Sequence, residues 1–412
     1  MRYDVLIIGA GASGLYCACR IISESGVRLG IIDSNDSVGK KLLMTGAGRC
    51  NLTNYDMDPR YYMTDSPEML AGLLRRHDEN AALAFFRDEL GVLTAERDDG
   101  LCYPATYRAD TVVNAMRNYL IDNDADFILN TQVCSISRDD SGFTVNGSLH
   151  SKTIVIAVGG ASYSLTGSNG SIIKLAAPFT GRGDLAPLYP ALVPLKTLEK
   201  DITSISGARA YCDLKLYEDR RSDKVLAESS GEILFTKYGV SGICVLDVSG
   251  YAVRAMAEGK RPVLSVNLLK MSFPKARIEV ETNLLNFPDR SPSQALNGLV
   301  RDDILAIILD RINLTEVRHA SDLSRTDIDN ITECMTSFKL TITGSLSFDN
   351  AQVTNGGIML SSVNDQMELK STRGLFICGE ALNCNGICGG YNLQFCWSSA
   401  SAAARGVLSC LN

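Results

Sequence analysis

Residues 3–14 read YDVLIIGAGASG, and this stretch decides the fold of the chain. Its apolar run lacks polar alternation, which predicts a strand buried on both faces of a parallel sheet. The run leads into Gly9-x-Gly11-x-x-Gly14, and residues 15–22 continue as a predicted helix. In this spacing Gly9 permits the tight turn, Gly11 lets a pyrophosphate approach the backbone, and Gly14 lets the helix pack on the strand. The phosphates would then lie at the helix N-terminus.

A carboxylate follows at the distance that a dinucleotide site requires. The second apolar strand, residues 29–32, ends in Asp33, which lies about 20 residues beyond the glycines. At that position a carboxylate binds a ribose hydroxyl. Strand, glycine turn, helix, strand and acid in one unit predict a Rossmann-type dinucleotide site. The fingerprint alone leaves FAD and NAD(P) open.

Length and composition limit the other possibilities. A chain of 412 residues is too long for one hydrophobic core, and two or three domains are expected. The net charge of −7, without a Lys/Arg-rich run, argues against nucleic acid or an anionic membrane as partner. No apolar stretch reaches the length of a bilayer span, and the first strand starts directly after Met1, which leaves no room for a signal peptide. We therefore predict a cytoplasmic protein.

The thirteen cysteines are predicted to be mostly small buried hydrophobes in a reducing compartment. The densest group is Cys378, Cys384, Cys388 and Cys396. It lacks the Cys-x-x-Cys pairs that are typical of zinc and iron–sulfur sites, so we predict no metal site. A redox-active disulfide between Cys384 and Cys388 is the alternative to coincidental spacing.

Hydrophobic periodicity divides the chain into regions. It predicts helices within residues 66–91 and 111–120, then short strands from 125 to 157 with a hairpin turn at 139–142. The last of these strands leaves through Gly159 and Gly160.

Three domains follow from this pattern, and the fold class is α/β. Residues 1–190 and 340–412 would form one discontinuous Rossmann-like domain built from both chain ends. Residues 191–275, in which Cys244 lies in a strand-like run, would form an inserted β-rich, barrel-like domain. Residues 276–339 would form a small helical domain.

Four blocks carry a resemblance to a known family. They are residues 8–14, 39–54, 159–168 and 379–394, with further matches at 231–236 and 351–357. The second and fourth blocks contain the rare sequences GRCNLTN and GGYNLQ. With these blocks the chain resembles the BaiN/RdsA-type NAD(P)/FAD-dependent oxidoreductases, a branch of the glutathione-reductase-like flavoproteins, over nearly its whole length.

The resemblance implies that FAD is a tightly bound cofactor, with the backbone of Val133 at the adenine. A helix that starts near Gly390 would also direct its positive dipole end toward the flavin and stabilise the reduced form. The cofactor-binding residues implied are Gly9, Gly11, Ala12, Ser13, Gly14, Asp33, Lys40, Thr45, Gly46, Arg49, Cys50, Asn51, Val133, Gly159, Gly160, Gly379, Glu380, Gly390, Asn392 and Leu393.

Several positions depart from the family pattern. Lys237 and Ile243 stand where the family has His and Pro, and Asn383 and Asn385 stand where it usually has acids. A His could donate a proton near neutral pH, whereas Lys237 could do so only if burial lowered its pKa. We therefore expect substrate chemistry that differs from that of better-known members.

The predicted activity is reduction of an activated C=C bond, such as an enone, in a small molecule. Hydride would pass from flavin N5 to the β-carbon, and Tyr163, Lys237 or Tyr238 would protonate the α-carbon. Because the chain has one Rossmann fingerprint, NADH or NADPH would act as a transient electron donor without a dedicated domain. The alternatives are a flavin-dependent oxidase of a small amine and a non-catalytic flavin-binding protein. A monomer or small homo-oligomer is expected.

Overall fold

The computed structural model describes residues 1–97, 99–181 and 183–412. Contacts divide the chain into two compact units, Met1–Pro190 with Gln352–Asn412, and Ala191–Ala351. The strands are β1 (Arg2–Ile8), β2 (Leu29–Ile32), β3 (Thr53–Asn54), β4 (Tyr62–Thr64), β5 (Thr94–Glu96), β6 (Leu101–Pro104), β7 (Asp126–Ile128), β8 (Ile136–Asp139), β9 (Gly142–Val145), β10 (Leu149–Ile156), β11 (Leu185–Ala191), β12 (Leu195–Thr197), β13 (Arg209–Tyr217), β14 (Val225–Thr236), β15 (Gly239–Ser241), β16 (Val263–Asn267), β17 (Phe338–Ser345), β18 (Val353–Ile358), β19 (Leu375–Ile377) and β20 (Cys384–Gly386).

The α-helices alternate with these strands in the first unit and flank the barrel in the second. They are α1 (Ala12–Ile22), α2 (Lys40–Met44), α3 (Pro67–Arg76), α4 (Glu79–Asp88), α5 (Ala109–Asp122), α6 (Ser171–Ala176), α7 (Ile243–Ala257), α8 (Phe273–Asn286), α9 (Pro292–Leu296), α10 (Asp302–Arg311), α11 (Arg325–Thr336) and α12 (Tyr391–Leu411). Across the described residues, none of these helices combines the length and hydropathy that a bilayer span requires.

The main sheet of the first unit confirms the Rossmann-like prediction. Its strand order is β7-β2-β1-β10-β9-β8, and β19 also pairs with β10. Strands β7, β2, β1, β10 and β19 are parallel, while β9 and β8 extend the sheet antiparallel. Since β19 comes from the C-terminal part, both chain ends build this sheet. The loops that follow the parallel strands meet at one edge, where ligands bind in such folds.

Burial explains why these segments pair. Val5, Leu6 and Ile7 of β1 are completely buried, as expected of a central strand with helices on both faces. Helix α1 packs against α12, the C-terminal helix. Small buried residues of α12, such as Ala400 and Ala403, permit this close approach. The predicted helices at 66–91 and 111–120 correspond to α3, α4 and α5, and Asp139 pairs with Gly142 in the predicted hairpin.

The second unit contains a closed barrel in the order β12-β15-β14-β13-β16-β17, which confirms the inserted barrel-like part of the predicted fold. Helix α7 packs on β14, and α8, α9, α10 and α11 belong to the same unit. The division of these residues into a β-rich and a helical domain stays a prediction.

One predicted element in this unit is wrong. Cys244 lies on helix α7 rather than in a strand. The sequence ICVLDV from residue 243 is rich in residues that favour strands. However, the buried positions 244, 245, 248 and 252 recur at helical spacing. Packing of this helical face on the barrel outweighs the local preference.

Candidate functional site

The glycine loop after β1 has two packed positions and one open position. Gly9 has a φ of +107°, and a Cβ atom there would lie 2.4 Å from the Ala157 carbonyl oxygen. A Cβ on Gly14 would lie 1.9 Å from the Gly9 carbonyl oxygen. A Cβ on Gly11, in contrast, would meet nothing within 4 Å. The loop therefore leaves free space at the N-terminus of α1, where backbone N–H groups favour an anion.

Asp33 is hydrogen-bonded to this loop. Its Oδ2 atom accepts a 2.7 Å hydrogen bond from the Ala10 N–H, and Oδ1 accepts from the backbone and side-chain nitrogens of Asn35 at 2.8 and 2.9 Å. The Asn35 amide also donates to the Thr166 carbonyl at 3.0 Å. Asp33 thus orients the glycine loop and the 159–168 segment. Because a carboxylate has about four acceptor positions, it retains capacity for a ribose hydroxyl.

Hydrogen bonds join the two rare sequences, GRCNLTN and GGYNLQ. The Thr53 hydroxyl donates to Gln394 Oε1 at 2.7 Å, and the Asn54 amide donates to the Gly389 carbonyl at 3.2 Å. In the amide orientation that satisfies its hydrogen bonds, the Asn51 oxygen accepts from the Gly390 N–H at 3.1 Å. These bonds hold the N-terminus of α12 against the loop after α2. Polar residues of both blocks thus form this junction.

Replacing Thr53 with Val is expected to destabilise the first unit by about 1–3 kcal/mol, because Gln394 Oε1 would be left buried without its donor. The chain has a single tryptophan, Trp397, whose indole donates to the Leu52 carbonyl at 2.8 Å. Its fluorescence during urea unfolding therefore reports on this junction. The control is Thr106→Val, whose hydroxyl pair is exposed and should change stability by less than about 0.5 kcal/mol. Equal unfolding midpoints for both variants would contradict the assignment.

The loop at residues 45–50 has an unusual backbone. Gly46, Ala47 and Cys50 have φ values of +56°, +55° and +59°. This conformation costs a non-glycine residue about 1 kcal/mol or more, and such strain clusters at ligand sites. Burial raises the pKa of Cys50 to about 12, so its thiol is not a reactive thiolate. Arg49 is exposed.

An ion pair lies next to the glycine loop. Lys41 Nζ lies 2.5 Å from Glu380 Oε2, and Glu380 Oε1 accepts from the Thr354 N–H at 2.9 Å. The Thr354 hydroxyl oxygen accepts from the Ala161 N–H at 2.8 Å. A Cβ on Gly160 would lie 2.3 Å from this oxygen, so the segments pack without a gap.

Glu380 and Gly160 are among the predicted site residues, whereas Lys41 and Thr354, which contact them, are not. Lys40, which the sequence favours, pairs instead with Asp36 at 2.8 Å on a more exposed surface. Thr354 lies within the family match at 351–357, and this match could have indicated it. Nothing in the sequence distinguishes the two adjacent lysines.

The residues predicted to donate a proton fall in different units. Tyr163 belongs to the first unit, is partly buried and has a φ of +56°. Lys237 and Tyr238 are exposed and form the turn between β14 and β15 in the second unit.

Three further predicted positions, Val133, Gly379 and Asn392, also belong to the first unit. Val133 is 9% exposed, and among the described residues no hydrogen bond uses its backbone N–H or C=O. A Cβ on Gly379 would lie 2.3 Å from Ser13 Oγ, so the segment after β19 touches α1. The Asn392 side chain donates to the Gly386 carbonyl and accepts from its N–H, both at 2.9 Å. Asn392 is thus used in fixing the loop that precedes α12.

Cys384, one half of the alternative disulfide, is a buried free thiol. Burial raises the pKa of Cys396 to about 12. Among the described residues, no group of three or more His, Cys, Asp or Glu side chains could hold a metal ion.

A parallel sheet of this topology, a packed glycine loop and an acid at the end of the second strand are the features of a Rossmann-type dinucleotide-binding fold. The chain belongs to the HI0933-like family, because the sequence profile of the HI0933-like protein Rossmann domain matches residues 3–406. This membership confirms the resemblance drawn from the four blocks.

Two characterised relatives match nearly the whole chain. The 3-dehydro-bile acid delta(4,6)-reductase of Clostridium scindens is 31% identical over 405 residues, covering 97% of each chain. The ribosomal RNA dihydrouridine synthase of Escherichia coli is 28% identical over 423 residues, covering 99% of this chain and 98% of the relative. Among solved structures, 3-ketosteroid delta1-dehydrogenase from Sterolibacterium denitrificans has the same fold, with a TM-score of 0.51, 10% identity and 99% coverage of both chains.

Proposed function

We propose that the chain binds FAD along the carboxyl edge of the main sheet. The open space at Gly11 carries this proposal, because a pyrophosphate needs close access to the backbone at that glycine. The α1 N-terminus would bind the phosphates, Asp33 the ribose and the free backbone of Val133 the adenine. The strained 45–50 loop and the N-terminus of α12 would lie on the flavin side. When bound, FAD supplies hydride transfer at N5.

We further propose that the substrate is a small molecule with a C=C bond conjugated to a carbonyl. The names of both relatives support a C=C bond conjugated to a carbonyl as the reacting group. One describes reduction at positions 4 and 6 of a 3-oxo bile acid, and dihydrouridine is uridine whose ring C=C bond is reduced. In both cases a carbonyl makes the distal carbon electrophilic. The chain would position the β-carbon for hydride and supply a proton to the α-carbon.

A uracil in ribosomal RNA is the second candidate substrate, since relatives from E. coli and Haemophilus influenzae carry that name at 28% and 26% identity. The net charge of −7 and the absence of a Lys/Arg-rich run favour the small molecule. We propose a cytoplasmic monomer or small homo-oligomer that uses NADH or NADPH as electron donor.

Anaerobic reduction of the purified yellow protein separates the candidate functions. We expect NADH or NADPH to bleach the flavin absorbance under nitrogen. Bleaching by amines but not by nicotinamides would indicate an amine oxidase, and inertness to both would indicate a non-catalytic flavoprotein. Release of FMN or of no flavin from the denatured protein would contradict the FAD proposal itself.

Replacing Tyr163 with Phe is expected to slow reoxidation of the reduced flavin by an enone about 100-fold, because a general acid contributes on the order of 100-fold or more. The rate of bleaching by the nicotinamide should not change. Stopped-flow absorbance measures both steps, with Lys237→Met and Tyr238→Phe compared in parallel. If Tyr163→Phe reoxidises at the wild-type rate and either of the others does not, the proton donor lies in the second unit.

A further inference from the structure

The Lys41–Glu380 ion pair is the most enclosed in the described part of the chain. The two side chains are 21% and 16% exposed, and no other ion pair among the described residues has both partners below 25%. Breaking such a pair by removing one partner leaves a poorly hydrated charge, which is far more costly than losing a surface pair. The net charge at this position therefore depends on both partners of the pair.

This ion pair is attached to both sides of the glycine loop. The Gly39 N–H, two residues before Lys41, donates to the Ala10 carbonyl at 2.8 Å. Gly379, one residue before Glu380, packs so closely on Ser13 that a Cβ would lie 2.3 Å from its hydroxyl oxygen. The segments that carry the two charges thus contact the turn and the first residues of α1. A phosphate at that helix end would lie near Glu380 as well as near Lys41.

We propose that Lys41 is a positioning residue for the cofactor, which neutralises Glu380 so that the carboxylate does not repel the pyrophosphate. This inference rests on the proposed binding of FAD. A pyrophosphate brings two negative charges to the helix N-terminus, and an unpaired Glu380 would add a third. With Lys41 in place, Glu380 keeps its bond from the Thr354 N–H and remains an acceptor for cofactor hydroxyls.

A role of Lys41 in charge balance predicts a result that a purely structural role would not produce. Lys41→Met should weaken FAD binding by about 10–100-fold, and the loss should shrink at high salt because ions screen the repulsion. The double variant Lys41→Met/Glu380→Gln carries no unpaired charge. It should bind FAD at least about tenfold more tightly than Lys41→Met, although it has fewer of the native groups.

The test is titration of the apoproteins with FAD at 50 and 300 mM NaCl, followed by quenching of flavin fluorescence. The control is Lys152→Met, which removes the same charge from an exposed pair, Lys152 with Asp4, whose side chains are 58% and 29% exposed. It should bind FAD as the wild type does. The melting temperatures of the apoproteins show whether each variant folds. If Lys41→Met does not fold, the FAD affinity of the double variant is compared with that of Glu380→Gln instead.

Two results would overturn the inference. The first is an FAD affinity of Lys41→Met equal to that of Lys152→Met. The second is a double variant that binds FAD as weakly as Lys41→Met does, which would show that Glu380 is not the reason for the loss. When Glu380→Gln serves as the reference, its unpaired Lys41 attracts the pyrophosphate, and that attraction is screened by salt. A tenfold difference from the double variant that persists at 300 mM NaCl would likewise show that Lys41 acts independently of Glu380. Failure of the wild-type apoprotein to bind FAD would instead contradict the proposed function.

Discussion

A Gly11→Ala variant is expected to fold normally and to lose its FAD. Gly11 has an extended backbone, with φ −83° and ψ −167°, that alanine adopts without strain. A Cβ there meets no protein atom within 4 Å, so the apoprotein should be as stable as the wild type or gain up to about 1 kcal/mol from a less flexible unfolded chain. The methyl group would instead occupy the space through which the pyrophosphate approaches. We expect affinity to fall on the order of 100-fold, about 2.7 kcal/mol.

The neighbouring glycine provides the matched control. Gly14→Ala adds the same methyl group, but its Cβ would lie 1.9 Å from the Gly9 carbonyl oxygen. This clash should lower the stability of the apoprotein by about 1–3 kcal/mol or more. Calorimetric titration with FAD and thermal unfolding of each apoprotein measure the two effects. A Gly11→Ala protein that binds FAD as the wild type does would show that the cofactor lies elsewhere.

Trp397→Ala is expected to cause the largest loss of stability in the first unit, about 3–5 kcal/mol. The indole is 1% exposed and packs on Tyr16 and Phe86, with ring centroids 5.1 and 5.2 Å away. Its N–H donates to the Leu52 carbonyl, so one side chain joins α12, α1 and the second sequence block. For a unit of this size, the loss corresponds to a melting temperature lower by about 6–20 °C.

Far-UV circular dichroism during heating measures this effect. Trp397→Phe keeps an aromatic ring but leaves the Leu52 carbonyl without its donor, so a smaller loss of about 1–3 kcal/mol is expected. Tyr211→Ala removes an exposed ring, 71% accessible, and should change stability by no more than about 0.5 kcal/mol. Similar melting temperatures for Trp397→Ala and Tyr211→Ala would contradict the role assigned to this junction.

The sequence was sufficient to predict the parts of the fold that depend on local spacing. The glycine fingerprint, the buried strand before it and Asp33 after β2 specify one βαβ unit, and the structure contains it. The return of the C-terminal strand β19 to the same sheet was also predictable, because that segment again couples a short apolar strand to glycines. Each of these features depends on residue spacing and turn-forming residues within a short segment of the chain.

The contacts between distant segments were not predictable from the sequence. The bond from Thr53 to Gln394 joins residues 341 positions apart, and no local pattern indicates it. For the same reason Lys41 could not be distinguished from Lys40, since only the position of Glu380 in three dimensions separates them. The local β-propensity predicts the wrong element for Cys244, because barrel packing outweighs that propensity in the segment that forms α7.

The function proposed for this protein is reduction of a carbonyl-conjugated C=C bond by a flavin bound at the glycine loop. The most direct test of this function is the oxidative half-reaction, followed by absorbance under nitrogen after photoreduction of the protein-bound flavin. Adding a cyclic enone is predicted to restore the oxidised spectrum within one turnover and to yield one equivalent of the saturated ketone. A reduced flavin that stays bleached with every enone, and recovers its colour only when oxygen is admitted, would contradict the account.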